Sequence, residues 1–257
     1  MSVSASQVSE LRARTGVPMM AVKQALDEAG GDNDKAIEIL RKRGLAQAVK
    51  KADRDQKEGA FFIASTSSKA AIVCLRCETD FVARNEDFQK LGQSFAQTLL
   101  DKNEPGLQEE ADAKLPEAVQ KLGENIAMGD SEIIEGASIG AYVHSNRKIA
   151  VVVALDKPGM DTEAKDAAMH AAAMNPLYVT PEEVTADVIA KEKEIWKEQM
   201  KDDKKPAEIM EKIMLGKEKK FREENALLKQ AFVKDPSKSV EQTLSGAKVV
   251  AYVRKAI

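Results

Sequence analysis

Ala70-Ala71-Ile72-Val73-Cys74-Leu75, then Arg76, then Cys77-Glu78-Thr79-Asp80-Phe81-Val82-Ala83-Arg84-Asn85-Glu86-Asp87-Phe88, is the stretch on which the reading of this chain turns. The unbroken apolar run has the length of a strand and no helical period, which predicts a buried strand. Beyond it Phe88, Leu91, Phe95 and Leu99 recur at helical spacing. A strand that feeds a covering helix through a polar junction is the unit of an α+β fold, and such a junction is presented at an edge, where partners touch. Phe81 beside Asp80 places a large ring next to a carboxylate in a chain with only 4% aromatic residues. Two readings of Phe81 stand side by side: it caps the core beneath the helix start, or it is held out toward a partner.

Working outward, the same unit is written twice. Glu58-Gly59-Ala60 recurs 77 residues on as Glu135-Gly136-Ala137, and Ala71-Ile72-Val73 recurs 79 residues on as Ala150-Val151-Val152. The two-residue difference fits a hairpin loop, near Ser65 to Lys69 in one copy and His144 to Lys148 in the other. Each copy continues into a helical stretch, Phe88 to Leu100 and Ala164 to Met174. The expectation is two related α+β core subdomains, residues 55–134 and 135–257, each a hairpin covered by helices. Between them Leu115, Val119 and Leu122 space a helix that Gly123 ends. Thr180-Pro181-Glu182-Glu183 combines an N-cap, a proline at the first helical position and a capping-box glutamate, predicting the start of a long helix. Its sparse apolar positions, Val184, Val188 and Ile195, and after a polar turn near Asp202 to Pro206, Ile209, Ile213 and Phe221, suffice for one seam. They predict an antiparallel coiled-coil hairpin inserted over residues 181–226. Ala231-Phe232-Val233 and Lys248 to Val253 then read as strands flanking a short helix after Ser239, completing the second unit's sheet.

Ahead of these units, residues 1–54 predict a three-helix bundle. Ser4 and Gln7 have capping-box spacing before Val8 and Leu11, and Gly16 suits a left-handed stop. A second helix enters at Pro18 and buries Val22, Ala25 and Leu26. A third is capped by Asp32, buries Ala36, Ile37 and Leu40, and is expected to stop at Gly44. Met19 and Met20 lie about 100° apart on the second helix, so they cannot both be core and at least one is exposed; a surface methionine and a partner contact are both open readings. The charged segment Lys50 to Lys57 reads as a linker or an exposed helical extension.

At 257 residues, 43% apolar and 32% charged, the chain can bury a substantial core. No apolar run approaches the roughly 20 residues that cross a bilayer, and Met1-Ser2-Val3-Ser4 lacks a basic region followed by an apolar stretch, which points to the cytoplasm and away from a membrane. A formal net charge of −3, with Lys and Glu interleaved, offers no basic field for phosphate backbones and disfavours nucleic acid as a direct partner. Cys74 and Cys77 have C-x-x-C spacing, but His144 and His170 lack the spacing to complete a zinc site, and a redox pair belongs at a helix N-terminus rather than in a strand. Both read as small apolar fillers. No Gly-rich phosphate loop, nucleophile elbow or His–carboxylate cluster is present, and His170 reads as a packed or surface histidine, so no cofactor, metal or enzymatic activity is expected.

Cys77-Glu78-Thr79-Asp80-Phe81-Val82-Ala83-Arg84-Asn85, with Leu11-Arg12-Ala13-Arg14-Thr15-Gly16 and Met19-Met20, resembles the two signature regions of the bacterial elongation factor Ts family. The likeness continues through Gly44-Leu45-Ala46, His144, Asn175-Pro176 and Pro236-Ser237-Lys238, so it covers essentially the whole chain. It implies a bundle of the ubiquitin-associated type followed by two similar core subdomains. It also implies a guanine-nucleotide exchange factor that binds elongation factor Tu, GDP-bound and nucleotide-free. Thr79, Asp80, Phe81 and Val82 would then displace the partner's magnesium, and Arg12, Met19, Met20, Lys23 and His144 would contact the partner. Homodimerisation is left open. The runner-up from another class is a non-catalytic adaptor that binds protein ligands through the bundle. A third reading, an oxidoreductase using Cys74 and Cys77, predicts loss of function in a double serine variant.

Overall fold

The computed structural model describes residues 3–15, 17–201 and 206–257. The expected stop at Gly16 and most of the expected turn at Asp202 to Pro206 lie outside them. Helix α1 (Ala5–Thr15) buries Val8 and Leu11, and α2 (Met19–Glu28), entered from Pro18, buries Val22, Ala25 and Leu26. In α3 (Asn33–Lys51) the Asp32 carboxylate accepts from the backbone N–H groups of Asp34 and Lys35, as an N-cap should. These side chains share one small core with Val17, Ala36 and Leu40.

One boundary differs. Helix α3 does not stop at Gly44 but runs through it to Lys51. Gly44 is buried where α3 crosses a later helix: a Cβ here would stand 3.1 Å from the carbonyl oxygen of Pro116. The missing side chain serves a close helix crossing, not a helix end.

Strands β1 (Glu58–Ser65) and β2 (Lys69–Cys77) form an antiparallel hairpin with Ala60 opposite Leu75 and Phe62 opposite Val73. A one-turn helix α4 (Asp80–Ala83) leads to α5 (Glu86–Leu122), which is interrupted at Asn103 (φ 61°). Pro105, without an N–H, cannot continue the first half, and Asn tolerates positive φ, so the two helices expected from sequence meet there. Gly123 closes the second half in the left-handed region. Strand β3 (Ala127–Glu135) then pairs with β2, making a sheet of order β1-β2-β3.

The second half repeats this wiring. Strands β4 (Ser138–Val143) and β5 (Ile149–Leu155) form a hairpin, and α6 (Asp161–Met174) follows. A single 3₁₀ turn occupies Pro181–Glu183, and α7 (Ala186–Gln199) begins only after Thr185. The expected helix start at Thr180 is thus displaced. Val184 is buried with extended backbone, and Arg222 donates to the carbonyls of Pro181 and Val184, holding the turn out of helical geometry. Helix α8 (Ala207–Asn225) packs beside α7, with Lys193 paired to Glu218 at 2.6 Å and Trp196 edge-on to Phe221. Only Ile189 and Trp196 are buried in α7 and none of α8, so the contact is a thin seam. Strands β6 (Ala231–Phe232) and β7 (Asp235–Ser239) form a separate ribbon, whereas the sequence predicts Ala231 to Val233 as a strand of the second sheet. Helix α9 (Val240–Thr243) carries a capping box of Ser239 and Gln242, and β8 (Val249–Ala256) completes a sheet of order β4-β5-β8.

The two sheets pack face to face. Phe61, Ala70, Ile72, Cys74 and Ile134 of the first meet Ile139, Ala150, Val152 and Ala154 of the second. On the outer face of the first sheet, Phe62, Val73 and Leu75 pack against Phe88, Phe95 and Leu99 of α5. On that of the second, Val151, Val153 and Leu155 pack on the alanine stripe Ala164, Ala167, Ala168 and Ala171 of α6. The mixed helix-and-sheet architecture is therefore α+β, as the sequence implied. Among the described residues, no helix is long and apolar enough to cross a membrane.

His170 is fully buried on α6. Its Nε2–H donates to Gln230 Oε1 (2.8 Å), and its Nδ1 accepts from the backbone N–H of Val233 (3.3 Å), an arrangement that requires the neutral ring. Burial pushes its pKa below the ordinary 6.5, and the Gln230 contact offsets this in part. A group whose pKa falls on folding contributes stability that is present above the unfolded value and lost as pH drops toward the folded one. The melting temperature is expected to decline from about pH 6.5 downward, and His170→Gln to flatten the profile between about pH 7 and 5. Equal slopes in the two proteins would show that His170 does not titrate on unfolding.

Candidate functional site

The junction between β2 and α5 is built by side chains from three places. Glu124, just past the end of α5, uses Oε2 to accept from the backbone N–H groups of Glu78 and Thr79, each at 3.0 Å, and Oε1 to accept from the Thr79 hydroxyl at 2.5 Å. The Thr79 Oγ1 also caps α4, accepting from Val82 N–H at 3.4 Å. Asn85 caps α5 through Asp87 N–H, and Gln89 Nε2 donates to the Ala83 carbonyl at 2.5 Å. All of these bonds but the one from the Thr79 hydroxyl engage backbone groups, so the turn is held from both ends.

Consecutive positions on a helical turn point about 100° apart. In α4, Val82 and Ala83 face the core beneath α5. Phe81 therefore projects outward and is 82% exposed. The reading in which Phe81 caps the core is excluded by that exposure; Val82 does the anchoring instead. Asp80 beside it is paired with Arg84 at 2.9 Å, one helical turn on. Both partners lie at the surface, where such a pair contributes only about 0–1 kcal/mol and is easily exchanged for another.

The hairpin loop between β4 and β5 reaches the same end of the molecule. Lys148 pairs with Glu58, and Glu58 lies opposite Cys77, the last residue of β2. Arg147, at φ 55°, accepts the Phe61 N–H on its carbonyl at 2.9 Å and lays its guanidinium over the Phe62 ring. His144 is exposed at the start of this loop, with Nδ1 3.0 Å from the Tyr142 hydroxyl. Thr79 to Val82 and His144 are thus brought to one end of the first sheet. Arg12, Met19, Met20 and Lys23 stand apart on the bundle, all exposed, with Met19 at 51% and Met20 at 65%. Met19 and Lys23, one turn apart on α2, share a helix face.

Cys74 and Cys77 do not meet. Cys74 belongs to the layer between the sheets and Cys77 to the layer under α5, because three residues along a strand reverse the face. Both thiols are free and buried; burial raises the pKa of Cys74, and burial followed by the nearby Glu124 carboxylate pushes Cys77 up to about 12. Thiolate chemistry is correspondingly disfavoured. Among the described residues, no group of three His, Cys, Asp or Glu is placed to hold a metal ion. What the arrangement offers is a surface: an aromatic ring and a carboxylate on a clamped turn.

Glu124 escapes a reading of the sequence. Gly123 announces a helix end, but the partners of the next residue lie 45 and 46 positions upstream, and no local pattern encodes them.

The family model described as Elongation factor TS matches residues 78–257. Over nearly the full length, the chain is 43% identical to Elongation factor Ts of Deinococcus deserti, spanning 96% of this chain and 97% of that one. It is 44% identical to Elongation factor Ts of Francisella tularensis subsp. novicida and 45% identical to that of Hahella chejuensis, each alignment spanning 98% of this chain and 91% of the relative.

Since the Phe81 ring touches solvent rather than core, Phe81→Ala is expected to leave stability within about 0.5 kcal/mol of the parent. A thermal melt checks this, and a fall of several degrees would return the ring to a structural role.

Proposed function

The chain belongs to the elongation factor Ts family, and from that premise we propose that it acts in translation elongation as a guanine-nucleotide exchange factor for elongation factor Tu. It binds the GDP-bound GTPase, promotes release of GDP with displacement of the partner's magnesium, and holds the nucleotide-free form. It carries no cofactor of its own and works in the cytoplasm. The observation that carries this reading is the exposed Phe81 on a turn clamped by Glu124. A ring whose backbone is already fixed enters an apolar pocket with little further loss of conformational entropy.

Exchange is a linkage problem. A factor that prefers the nucleotide-free conformation must weaken nucleotide binding by the same ratio by which nucleotide weakens its own binding. Phosphate contacts and magnesium dominate nucleotide affinity in such switches, so that is where a wedge acts most effectively. In this reading Phe81 enters the pocket, and Asp80 leaves Arg84 to reorganise the polar groups around the magnesium. Thr79 and Val82 hold the turn. Arg12, Met19, Met20, Lys23 and His144 supply affinity from the flanks.

The finer architecture follows the same family reading. Residues 1–54 form a ubiquitin-associated-like bundle, residues 55–134 and 135–257 are two core subdomains, and 181–226 is an antiparallel coiled-coil arm whose seam includes Trp196 and Phe221.

Release of a fluorescent GDP analogue from elongation factor Tu, with and without this protein, tests the proposal. Phe81→Ala is expected to lower release at saturating factor about 30-fold or more, corresponding to ~2 kcal/mol or more of transition-state stabilisation, while complex formation persists. Normal exchange by that variant would rule out the wedge. Converting Met19 and Met20 together to Ala should weaken complex formation by on the order of tenfold or more with helical content unchanged. Unchanged affinity would remove the bundle from the contact.

A further inference from the structure

The segment joining the bundle to the core, which the sequence presents as a charged linker, is held by one buried side chain. Asn125 is 4% exposed, and its amide Nδ2 donates to the carbonyls of Ala52 (3.2 Å) and Arg54 (3.0 Å). Its backbone N–H donates to Glu78 Oε1 at 2.7 Å, and Arg54 Nη1 reaches the same oxygen at 3.3 Å. Lys51, the last residue of α3, donates from Nζ to the Gly123 carbonyl at 2.6 Å. Glu124, between these two, clasps Glu78 and Thr79. Residues 51–54, 123–125 and 78–79 therefore form one continuous hydrogen-bonded knot, with the bundle's exit on one side and the Phe81 turn on the other.

The Asn125 N–H, opposed by partial burial and aided by Arg54, holds the Glu78 carboxyl below the usual carboxylate range, so this oxygen is a charged acceptor. The bundle is held elsewhere too, where Gly44 of α3 crosses α5. Ala48 packs against the core under α5 and Arg41 pairs with Glu117 at 3.5 Å, so α3 is seated along α5. The knot adds an attachment just past the end of α3, eight residues beyond Gly44 and about 12 Å away at 1.5 Å per residue, and so fixes the exit of the bundle as well.

We propose that Asn125 is a positioning residue: by clamping residues 52–54 it makes the bundle and the Phe81 turn one rigid unit that engages a single GTPase molecule at two points. This rests on the exchange-factor reading above. The physical consequence is an effective concentration. Once one contact forms, the second is intramolecular, and its local concentration is highest when the span is preset rather than explored by a loose linker. The two halves of the knot then have separable roles. Asn125 governs how well both contacts are made together, and Glu124 governs how firmly the wedge is held once it is in place.

Asn125→Ser removes both linker contacts but keeps the backbone N–H that serves Glu78, and Glu124→Gln weakens the grip on Glu78 and Thr79 while retaining side-chain size. In release of the fluorescent GDP analogue from elongation factor Tu, Asn125→Ser is expected to raise the half-saturating factor concentration about tenfold or more with the plateau rate near that of the parent. Glu124→Gln is expected to lower the plateau with the half-saturating concentration little changed. Hydrogen exchange on the free proteins gives a readout independent of the GTPase. Protection should fall at residues 52–57 in Asn125→Ser and at 78–85 in Glu124→Gln. Shifts of the same kinetic parameter in both variants, no shift in either, or loss of protection over both segments in each would overturn the division of roles. If Asn125→Ser does not fold, the Lys51→Ala, Arg54→Ala double variant loosens the same knot from the linker side by removing the Lys51–Gly123 and Arg54–Glu78 contacts. A parent protein that does not accelerate release at all would defeat the exchange-factor reading itself, leaving the exchange pattern to judge whether the clamp exists.

Discussion

Burial of the two central strands on both faces is the constraint from which the rest of this structure follows. β2 and β5 each contribute one set of side chains to the layer between the sheets and the alternate set to a helix, α5 or α6. Neither sheet could leave its inner face to water, because each has only three strands and little apolar surface to spare. Pairing the sheets and covering each with one helix gives four layers, and the helices are long enough to shield the outer faces. The same arrangement puts the ends of β2 and of the β4–β5 hairpin at one end of the first sheet, where the Glu58–Lys148 pair closes over Cys77. The Phe81 turn thus follows directly on a strand that is buried on both faces.

Polar groups then decide what that rigid end presents. Many of the ion pairs lie at the surface and contribute little to stability, Asp80–Arg84 among them. The contacts around Glu124 and Asn125 differ because they satisfy backbone groups that are partly or wholly removed from water, and an unmet group there costs more than a met one contributes. A carboxylate or amide with several fixed donors or acceptors around it specifies geometry more than it adds stability. That distinction fits the exchange role proposed above, in which one ring and one carboxylate are placed accurately while the surface partner of the carboxylate stays exchangeable.

Glycine has two uses in this chain that look the same in one dimension. Gly123 ends a helix in the left-handed region, and Gly44 lies inside a helix where another backbone comes within contact distance. Both positions disfavour a side chain, one for a dihedral reason and one for a steric reason, so composition alone does not tell them apart. The same holds at Thr180 to Glu183, where a helix-start pattern is present but Arg222, arriving from α8, takes the carbonyls and the chain forms a single 3₁₀ turn. Glu183, free of a capping-box role, accepts from Val179 N–H instead.

By itself the sequence determined the elements whose cause is local or periodic. The unbroken apolar run at Ala70 to Leu75 announced a buried strand, and its echo at Ala150 to Val152 announced a second. Asp32 and Ser239 stand where an orphan N–H needs an acceptor, and the doubled unit showed in recurring segments at near-equal offsets. It also singled out Phe81, because an aromatic beside a carboxylate in a polar junction is costly without a use. Only the tertiary structure decided whether that ring faces core or solvent, since the answer depends on Val82 and Ala83 taking the inward positions under α5. It likewise decided that Glu124 and Asn125, remote in sequence from every group they bind, hold the turn and the linker. Contacts between residues 45 to 73 positions apart leave no period and no motif, and they exist only once the sheets and α5 have brought the chain together.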